Sequence, residues 1–296
     1  MKTKLNKITY KTLKSKIELA YQSLKKCNLC PRICNVDRTK KQKGFCGVLD
    51  KPVISSYGPH FGEETPLVGR YGSGTIFFSR CNLGCVFCQN YDISHFDNGK
   101  NISVERLSEI ILELQGRGCH NINFVSPTHQ LPFIIDSLLI SLKKGLNIPV
   151  VWNCGGYESE ASLELLDGIV DIYMPDFKFW KDKTGEKFSG IKEYSKHVKK
   201  AILKMHEQTG DLFIENNIAV SGLLVRHLVM PGYVTETFKI IEWLKNNVSE
   251  NTYLNLMDQY RPCFQAYKYP EINCKLNFEE YRKVRDFAQT LGLNLL

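Results

Sequence analysis

The feature that most limits the fold of this sequence is a regular alternation of apolar strand patterns and amphipathic helix patterns after residue 72. Strands are predicted at 74–79, 121–126, 149–153, 171–175, 222–230 and 252–257. Helices are predicted at 103–118, 132–145, 158–166, 193–208, 235–247 and 278–291. Short connections between them indicate parallel strands with the helices outside. Six such units predict an α/β fold, a partial (β/α)6 TIM-like barrel that stays open, since eight units would close a full barrel.

The domain organisation follows from a change in character near residue 72. Residues 1–72 form a basic, cysteine-rich N-terminal extension. We predict that residues 73–265 form the core and that residues 266–296 are a C-terminal helical segment packing on it.

The positive charge of the chain is concentrated in its first residues. Residues 1–43 carry thirteen Lys and Arg against two acidic residues, whereas the whole chain has a net charge of +8. Such a segment can dock a polyanion such as RNA. The apolar residues of the segment recur at helical spacing, at Leu13, Ile17, Ala20 and Leu24. This spacing favours an amphipathic helix with a solvated basic face over a nucleic-acid partner.

The sequence does not suggest export or a membrane partner. No apolar run approaches the ~18 residues that a membrane span needs. The first residues have neither an apolar h-region nor a small-residue cleavage site. We therefore expect a cytoplasmic protein.

Eleven cysteines without an export signal indicate thiolates that bind metals rather than disulfides. Four of them, Cys27, Cys30, Cys34 and Cys46, have the spacing C-x2-C-x3-C-x11-C. Four thiolates make a closed site, either for zinc or for a second iron–sulfur cluster. The spacing is that of neither a zinc ribbon nor a ferredoxin, so both remain open.

Three further cysteines lie in "SRCNLGCVFCQN", directly after the first predicted strand of the core. Cys81, Cys85 and Cys88 can hold three corners of a cubane cluster, and the fourth iron then stays open for a ligand. The loop lies at the carboxyl edge of the strands, where such folds bind ligands. Phe87 could cover a bound purine. The alternatives are a zinc site with a distant fourth ligand and a chance group of thiols.

The strand, the C-x3-C-x-aromatic-C loop and the six βα units together resemble the radical S-adenosylmethionine superfamily over roughly residues 72–260. The resemblance implies a 4Fe–4S cluster on Cys81, Cys85 and Cys88, with S-adenosylmethionine on the open iron. It implies reductive cleavage to a 5′-deoxyadenosyl radical that abstracts hydrogen from a substrate. A one-electron donor such as flavodoxin or ferredoxin is the implied partner.

Longer phrases narrow the resemblance to proteins similar to pyruvate formate-lyase activating enzyme. These phrases are "CNLCPRIC", "GEETPLVGRYGSGTIFFSRCNLGCVFCQN", "SPTH", "MPDFKF", "RHLVMPG" and "NLMDQY". The branch implies an oxidoreductase acting on a protein backbone, with installation of a glycyl radical as the nearest precedent. Radical modification of another peptide or of RNA is one alternative. A non-catalytic metal-binding adaptor that uses the N-terminal cysteines is another.

The same resemblance assigns cofactor contacts to residues that follow the predicted strands. These are Phe87, Ser126, Thr128, Asn153, Asp176, Lys178 and Arg226. Asp176 and Lys178 match the Asp-x-Lys of the family, and strand alternation puts both on one face. Alternation also lets only one of Arg226 and His227 point inward, and we predict Arg226. His129 is either a ligand-facing group or bonded to backbone.

Overall fold

A computed structural model describes residues 3–296 of the protein. Its strands are β1 (Val53–His60), β2 (Ser73–Phe78), β3 (Lys100–Asn101), β4 (Ile122–Val125), β5 (Val150–Cys154), β6 (Ile172–Pro175), β7 (Phe213–Glu215), β8 (Ile218–Leu228), β9 (Tyr253–Met257) and β10 (Asn294–Leu295). Its helices are α1 (Tyr10–Gln22), α2 (Thr65–Val68), α3 (Tyr91–Ser94), α4 (Val104–Gly116), α5 (Leu131–Lys143), α6 (Glu160–Leu166), α7 (Asp182–Ser189), α8 (Tyr194–Thr209), α9 (Val234–Asn247) and α10 (Phe278–Thr290).

The six predicted strands are adjacent in one sheet, in the order β2-β4-β5-β6-β8-β9, and every neighbouring pair is parallel. The antiparallel strands β1 and β3 extend one edge, and β10 extends the other. Among residues 3–296, the two edges of the sheet do not pair with each other. The predicted α/β class with an open, partial barrel is therefore confirmed.

The helices pack on the outer face of the sheet through their apolar faces. In α4, Leu107, Ile110, Ile111 and Leu114 share one face and are buried. The hydroxyl of Ser103 accepts a hydrogen bond from the Arg106 N–H at 3.1 Å, which caps the helix. Because the strands are buried on both faces, their carboxyl ends form the accessible rim of the barrel.

Several parts of the segment before residue 72 pack on the core. The apolar face of α1 contacts α5, where the Tyr21 hydroxyl donates a hydrogen bond to the Asp136 carboxylate at 2.9 Å. Strand β1, which the sequence patterns did not predict, pairs antiparallel with β2. The division of the chain at residues 72 and 265 stays a prediction.

Helix α2 lies on the inner face of the sheet. Its Leu67 is fully buried in a small apolar cluster. The strand residues of that cluster include Val151, Ile172, Met174 and Leu224. A short segment ahead of the first core strand thus reaches the inside of the open barrel and brings its own polar residues to the inner face.

The helices of residues 3–296 include none that is long and apolar enough to cross a membrane.

The packing of α1 can be tested with two leucines of the same helix. Leu13 is fully buried, whereas Leu19 is 51% exposed. We expect Leu13→Ala to lower the free energy of unfolding by about 2–5 kcal/mol because it opens a cavity against the core. Leu19→Ala should change it by less than about 0.5 kcal/mol. Urea unfolding followed by circular dichroism measures both, and equal effects would contradict the packing of α1 on the core.

Candidate active site

A cavity of about 260 Å³ opens at the carboxyl ends of the core strands. Nine of the residues that the sequence assigned to metal or cofactor binding line it: Cys81, Cys85, Cys88, Phe87, Ser126, Asn153, Asp176, Lys178 and Arg226. They come from five separate stretches of chain. The parallel sheet brings them together because every strand of the core ends at the same edge.

The three-cysteine loop after β2 presents its thiols to this cavity. Cys85 is buried, and Cys81 and Cys88 are partly buried. The Leu83 N–H donates to the Cys81 sulfur at 3.4 Å, and the Ser94 hydroxyl lies 3.2 Å from the Cys88 sulfur. Three thiols on one wall of a cavity fit a cluster that is held at three corners and faces open space at the fourth.

The donor set of this loop suits a cluster whose thiolates bind separate irons. Within residues 3–296, no group of three or more His, Cys, Asp or Glu side chains is arranged to hold one metal ion. The thiolates of a cubane bind different iron atoms, so they need not converge on one point. The donor set is therefore compatible with a 4Fe–4S cluster.

Phe87 closes the wall between the second and third cysteines. It is 4% exposed, and its ring packs edge-on against Phe179 and Phe188 with centroids 6.0 and 6.3 Å away. The ring has apolar neighbours on its inner side and the cavity on the other. This arrangement fixes an apolar surface beside the thiols and excludes water from behind them.

Asp176 is the centre of an ion network that also borders the cavity. Lys178 donates to one carboxylate oxygen at 2.6 Å, and Arg226 donates to the other at 2.9 Å. The Arg226 guanidinium also donates to the Asn153 amide oxygen at 2.7 Å. Asp176 and Lys178 thus form an ion pair with each other on the face that borders the cavity.

The network fixes the charge of its members. Burial alone would raise the pKa of Asp176, but the Arg226 and Lys178 charges hold that pKa below its usual value. Burial opposes the charge of Lys178, yet the Asp176 carboxylate raises the pKa of that ammonium group. The Lys178 charge also opposes the rise that burial causes in the pKa of Cys85. A cation therefore stands beside the thiols, where it favours bound thiolates.

The alternation predicted for β8 is present. Arg226 borders the cavity, whereas His227 is buried on the other face. The His227 ring is within hydrogen-bond distance of the Phe177 carbonyl oxygen at 2.5 Å and the Thr237 hydroxyl at 2.9 Å. Burial lowers the pKa of His227 to about 4, so the ring is neutral near pH 7.

The turn after β4 separates residues that the sequence assigned together. Ser126 lines the cavity and has a φ of +54°, a left-handed conformation that is uncommon for serine and typical of functional turns. Thr128 does not border the cavity. It is 1% exposed, and its hydroxyl donates to the buried Glu158 carboxyl at 2.5 Å. The 3-10 turn that begins at Thr128 directs this side chain toward Glu158 instead of the cofactor cavity.

His129 is in the backbone-bonded arrangement. Its Nε2 lies 2.9 Å from the Ser79 carbonyl oxygen, and the side chain is buried away from the cavity. Burial lowers the pKa of His129 to about 4.

A second cavity of about 440 Å³ adjoins the first and shares Asn153 and Arg226 with it. Glu63 and Glu64, which precede α2, line this cavity and were not predicted as site residues. The Asn255 amide donates to the Glu64 carboxylate at 3.1 Å. The adjacent acidic pair in a glycine-containing turn was the only signal in the sequence, and its approach to Arg226 depends on the inner position of α2.

The pKa values of the two neighbouring glutamates shift in opposite directions. Burial raises the pKa of Glu63 to about 8, and the Arg226 charge offsets this only in part. Burial acts on Glu64 as well, but Arg226 and hydrogen bonds keep the pKa of Glu64 below its usual value. Glu64 therefore loses its proton more readily than Glu63.

The four N-terminal cysteines line a separate, small cavity of about 20 Å³. Arg32 connects this loop to the three-cysteine loop. Its guanidinium donates to the carbonyl oxygens of Asn82 and Leu83, each at 2.6 Å. The two cysteine loops therefore contact each other directly, which their distance in the sequence did not predict.

Curated relatives of this chain occur in Methanocaldococcus jannaschii. The uncharacterized protein MJ0674 is 35% identical over 291 residues, which cover 95% of this chain and 79% of that protein. The uncharacterized protein MJ0808 is 25% identical over 264 residues, covering 83% of this chain and 73% of that protein.

Solved structures with a similar fold include SuiB of Streptococcus suis bound to S-adenosylmethionine. The TM-score is 0.53 at 14% identity, over 73% of this chain and 48% of that one. SuiB bound to its precursor peptide SuiA gives a TM-score of 0.51 at 13% identity, over 73% and 46% of the two chains. The chain thus spans about half the length of SuiB. The family model of the radical SAM superfamily matches residues 75–244, which contain the three-cysteine loop, most of β2, and β3 to β8. The chain therefore belongs to the radical SAM superfamily, whose enzymes use a 4Fe–4S cluster and S-adenosylmethionine.

Proposed function

We propose that Cys81, Cys85 and Cys88 hold the 4Fe–4S cluster, that S-adenosylmethionine fills the rest of the 260 Å³ cavity, and that a substrate enters the adjoining one. One observation carries the proposal. Three thiols of a single loop share a cavity with a buried network of paired charges drawn from three strand ends. Such a cavity can hold an anionic cluster on one wall and a zwitterionic cofactor on the other.

Bound there, the cluster and the cofactor supply the 5′-deoxyadenosyl radical that abstracts hydrogen. The chain itself positions the cofactor and keeps water out of the cavity. Phe87 gives the cofactor an apolar surface, and Ser126 and Asn153 offer polar groups at the carboxyl ends of β4 and β5. Asp176, Lys178 and Arg226 keep their charges when buried because they are paired, and they can bind the polar ends of the cofactor without water.

We further propose that the substrate is a segment of peptide or protein. The adjoining cavity has the side chains of Asn90, Asn255 and Gln259 on its walls, and amide side chains can both donate to and accept from a peptide backbone. The peptide complex of SuiB supports this class. The resemblance to pyruvate formate-lyase activating enzyme supports a protein backbone in particular. Flavodoxin or ferredoxin is the proposed electron donor.

Production of 5′-deoxyadenosine tests the cluster assignment. We expect the anaerobically reconstituted protein to form 5′-deoxyadenosine from S-adenosylmethionine and dithionite, and Cys88→Ala to abolish this because the cluster loses one of three ligands. Cys119→Ala is the matched control, since Cys119 is buried outside both cysteine loops. Chromatography with mass detection measures the product. Equal production by Cys88→Ala and the unchanged protein would contradict the assignment.

Fractionated cell extract tests the substrate class. We expect a protein fraction to increase 5′-deoxyadenosine production and to lose this effect after protease treatment, because the substrate occupies the amide-lined cavity. Treatment of the same fraction with ribonuclease is the control. Loss of stimulation with ribonuclease but not with protease would contradict a peptide substrate and would indicate RNA.

A further inference from the structure

The second cavity has an acidic wall that faces the substrate rather than the cofactor. Glu63 and Glu64 border this cavity of about 440 Å³, and neither borders the cavity beside the three-cysteine loop. Only 8% of the Glu63 side chain and 4% of the Glu64 side chain are exposed. Buried carboxylates are costly unless cations or hydrogen bonds compensate them. The groups that surround the two glutamates therefore indicate what the cavity binds.

Arg226 is the cation that contacts both glutamates, but its shorter contacts are to other residues. Its nitrogens donate to the Asp176 carboxylate at 2.9 Å and to the Asn153 amide oxygen at 2.7 Å. The nearest oxygens of Glu64 and Glu63 lie 3.5 and 3.8 Å from its Nη1 atom. Hydrogen bonds weaken as the donor and acceptor separate, so this guanidinium compensates the two glutamates only in part.

The charges of the connected network do not sum to zero. Its anions are the three carboxylates of Asp176, Glu63 and Glu64. Its cations are Arg226 and Lys178. Three negative charges against two positive ones leave one negative charge when all five groups are ionised. Without a further cation, the glutamates can relieve this excess only by holding a proton, and burial raises the pKa of Glu63 to about 8.

One oxygen of the acidic pair lacks a partner. The Asn255 amide donates to Oε1 of Glu64 at 3.1 Å, whereas Oε2 is buried and has no hydrogen-bond partner among residues 3–296. Ammonium and guanidinium groups are the strongest donors to such an oxygen. Their side chains also have an apolar stem, which packs on apolar surface. The walls of the same cavity supply that surface, with Phe77, Val125 and Met257.

We infer that the second cavity binds a positively charged side chain of the peptide, a lysine or an arginine, with its cationic end at Glu63 and Glu64. The inference rests on the proposed function, which places the substrate in this cavity. The two glutamates are then specificity-determining residues. Because Asn153 and Arg226 border both cavities, the bound side chain also sets which part of the peptide lies next to the cofactor.

Binding of short peptides tests the inference without radical chemistry. The probes are alanine pentapeptides, blocked at both ends, whose central residue is lysine, arginine, norleucine or citrulline. Calorimetry measures their Kd for the anaerobically reconstituted protein with S-adenosylmethionine. We expect the lysine or the arginine peptide to bind at least about tenfold more tightly than its uncharged counterpart, because hydrogen bonds between charged groups are the stronger ones. Equal binding of charged and uncharged peptides, or no binding of any, would overturn the inference.

Three substitutions show whether the preference depends on the acidic wall. Glu63→Gln removes one charge at nearly constant shape and should reduce the preference to less than about threefold. Glu63→Asp keeps the charge and should restore most of it. Glu250→Gln is the matched control, since Glu250 is exposed, and should leave the preference unchanged. A Glu63→Gln variant with an unchanged circular dichroism spectrum and the full preference would overturn the inference.

Failure of the proposed function has its own signature. In that case Cys88→Ala forms as much 5′-deoxyadenosine as the unchanged protein, or stimulation by cell extract resists protease. Neither measurement involves Glu63 or the pentapeptides, so the two failures are distinguishable.

Discussion

The site depends on a buried guanidinium and the partners that it requires. Arg226 has three acceptor groups, the carboxylates of Asp176 and Glu64 and the amide of Asn153. Asn255 donates to Glu64 from the next strand, so the network joins β5, β6, β8, β9 and the start of α2. Removing one partner from a buried charge network costs about 3–5 kcal/mol. The arrangement of the side chains around the cavity and the position of α2 on the inner face therefore depend on the same charges.

Most of the fold could be predicted because its signals are local. Each core strand is a short apolar run and each core helix has one apolar face, so these local patterns placed them in the right order. The convergence of Cys81, Asn153, Asp176 and Arg226 followed from topology, since parallel strands share one carboxyl edge. Strand alternation further separated Arg226 from His227. These are consequences of backbone geometry, which the sequence pattern determines directly.

What could not be predicted depends on contacts between distant segments. The pairing of β1 with β2 and the burial of Leu67 on the inner face are long-range choices that leave no periodic signal. Thr128 was assigned to the cofactor by its position after β4, but a 3-10 turn directs it to Glu158. Glu63 was not predicted because no local sequence pattern indicates that an acidic residue in a turn will lie beside Arg226.

Both cysteine loops offer thiols as ligands, but their surroundings differ. The three-thiol loop faces a cavity large enough for a further ligand, and Lys178, a cation on that cavity, is already paired with Asp176. The four-thiol loop lines a void of about one water, and Nη2 of the adjoining Arg38 has no hydrogen-bond partner among residues 3–296. An open wall with balanced charge suits a cluster that must accept a cofactor.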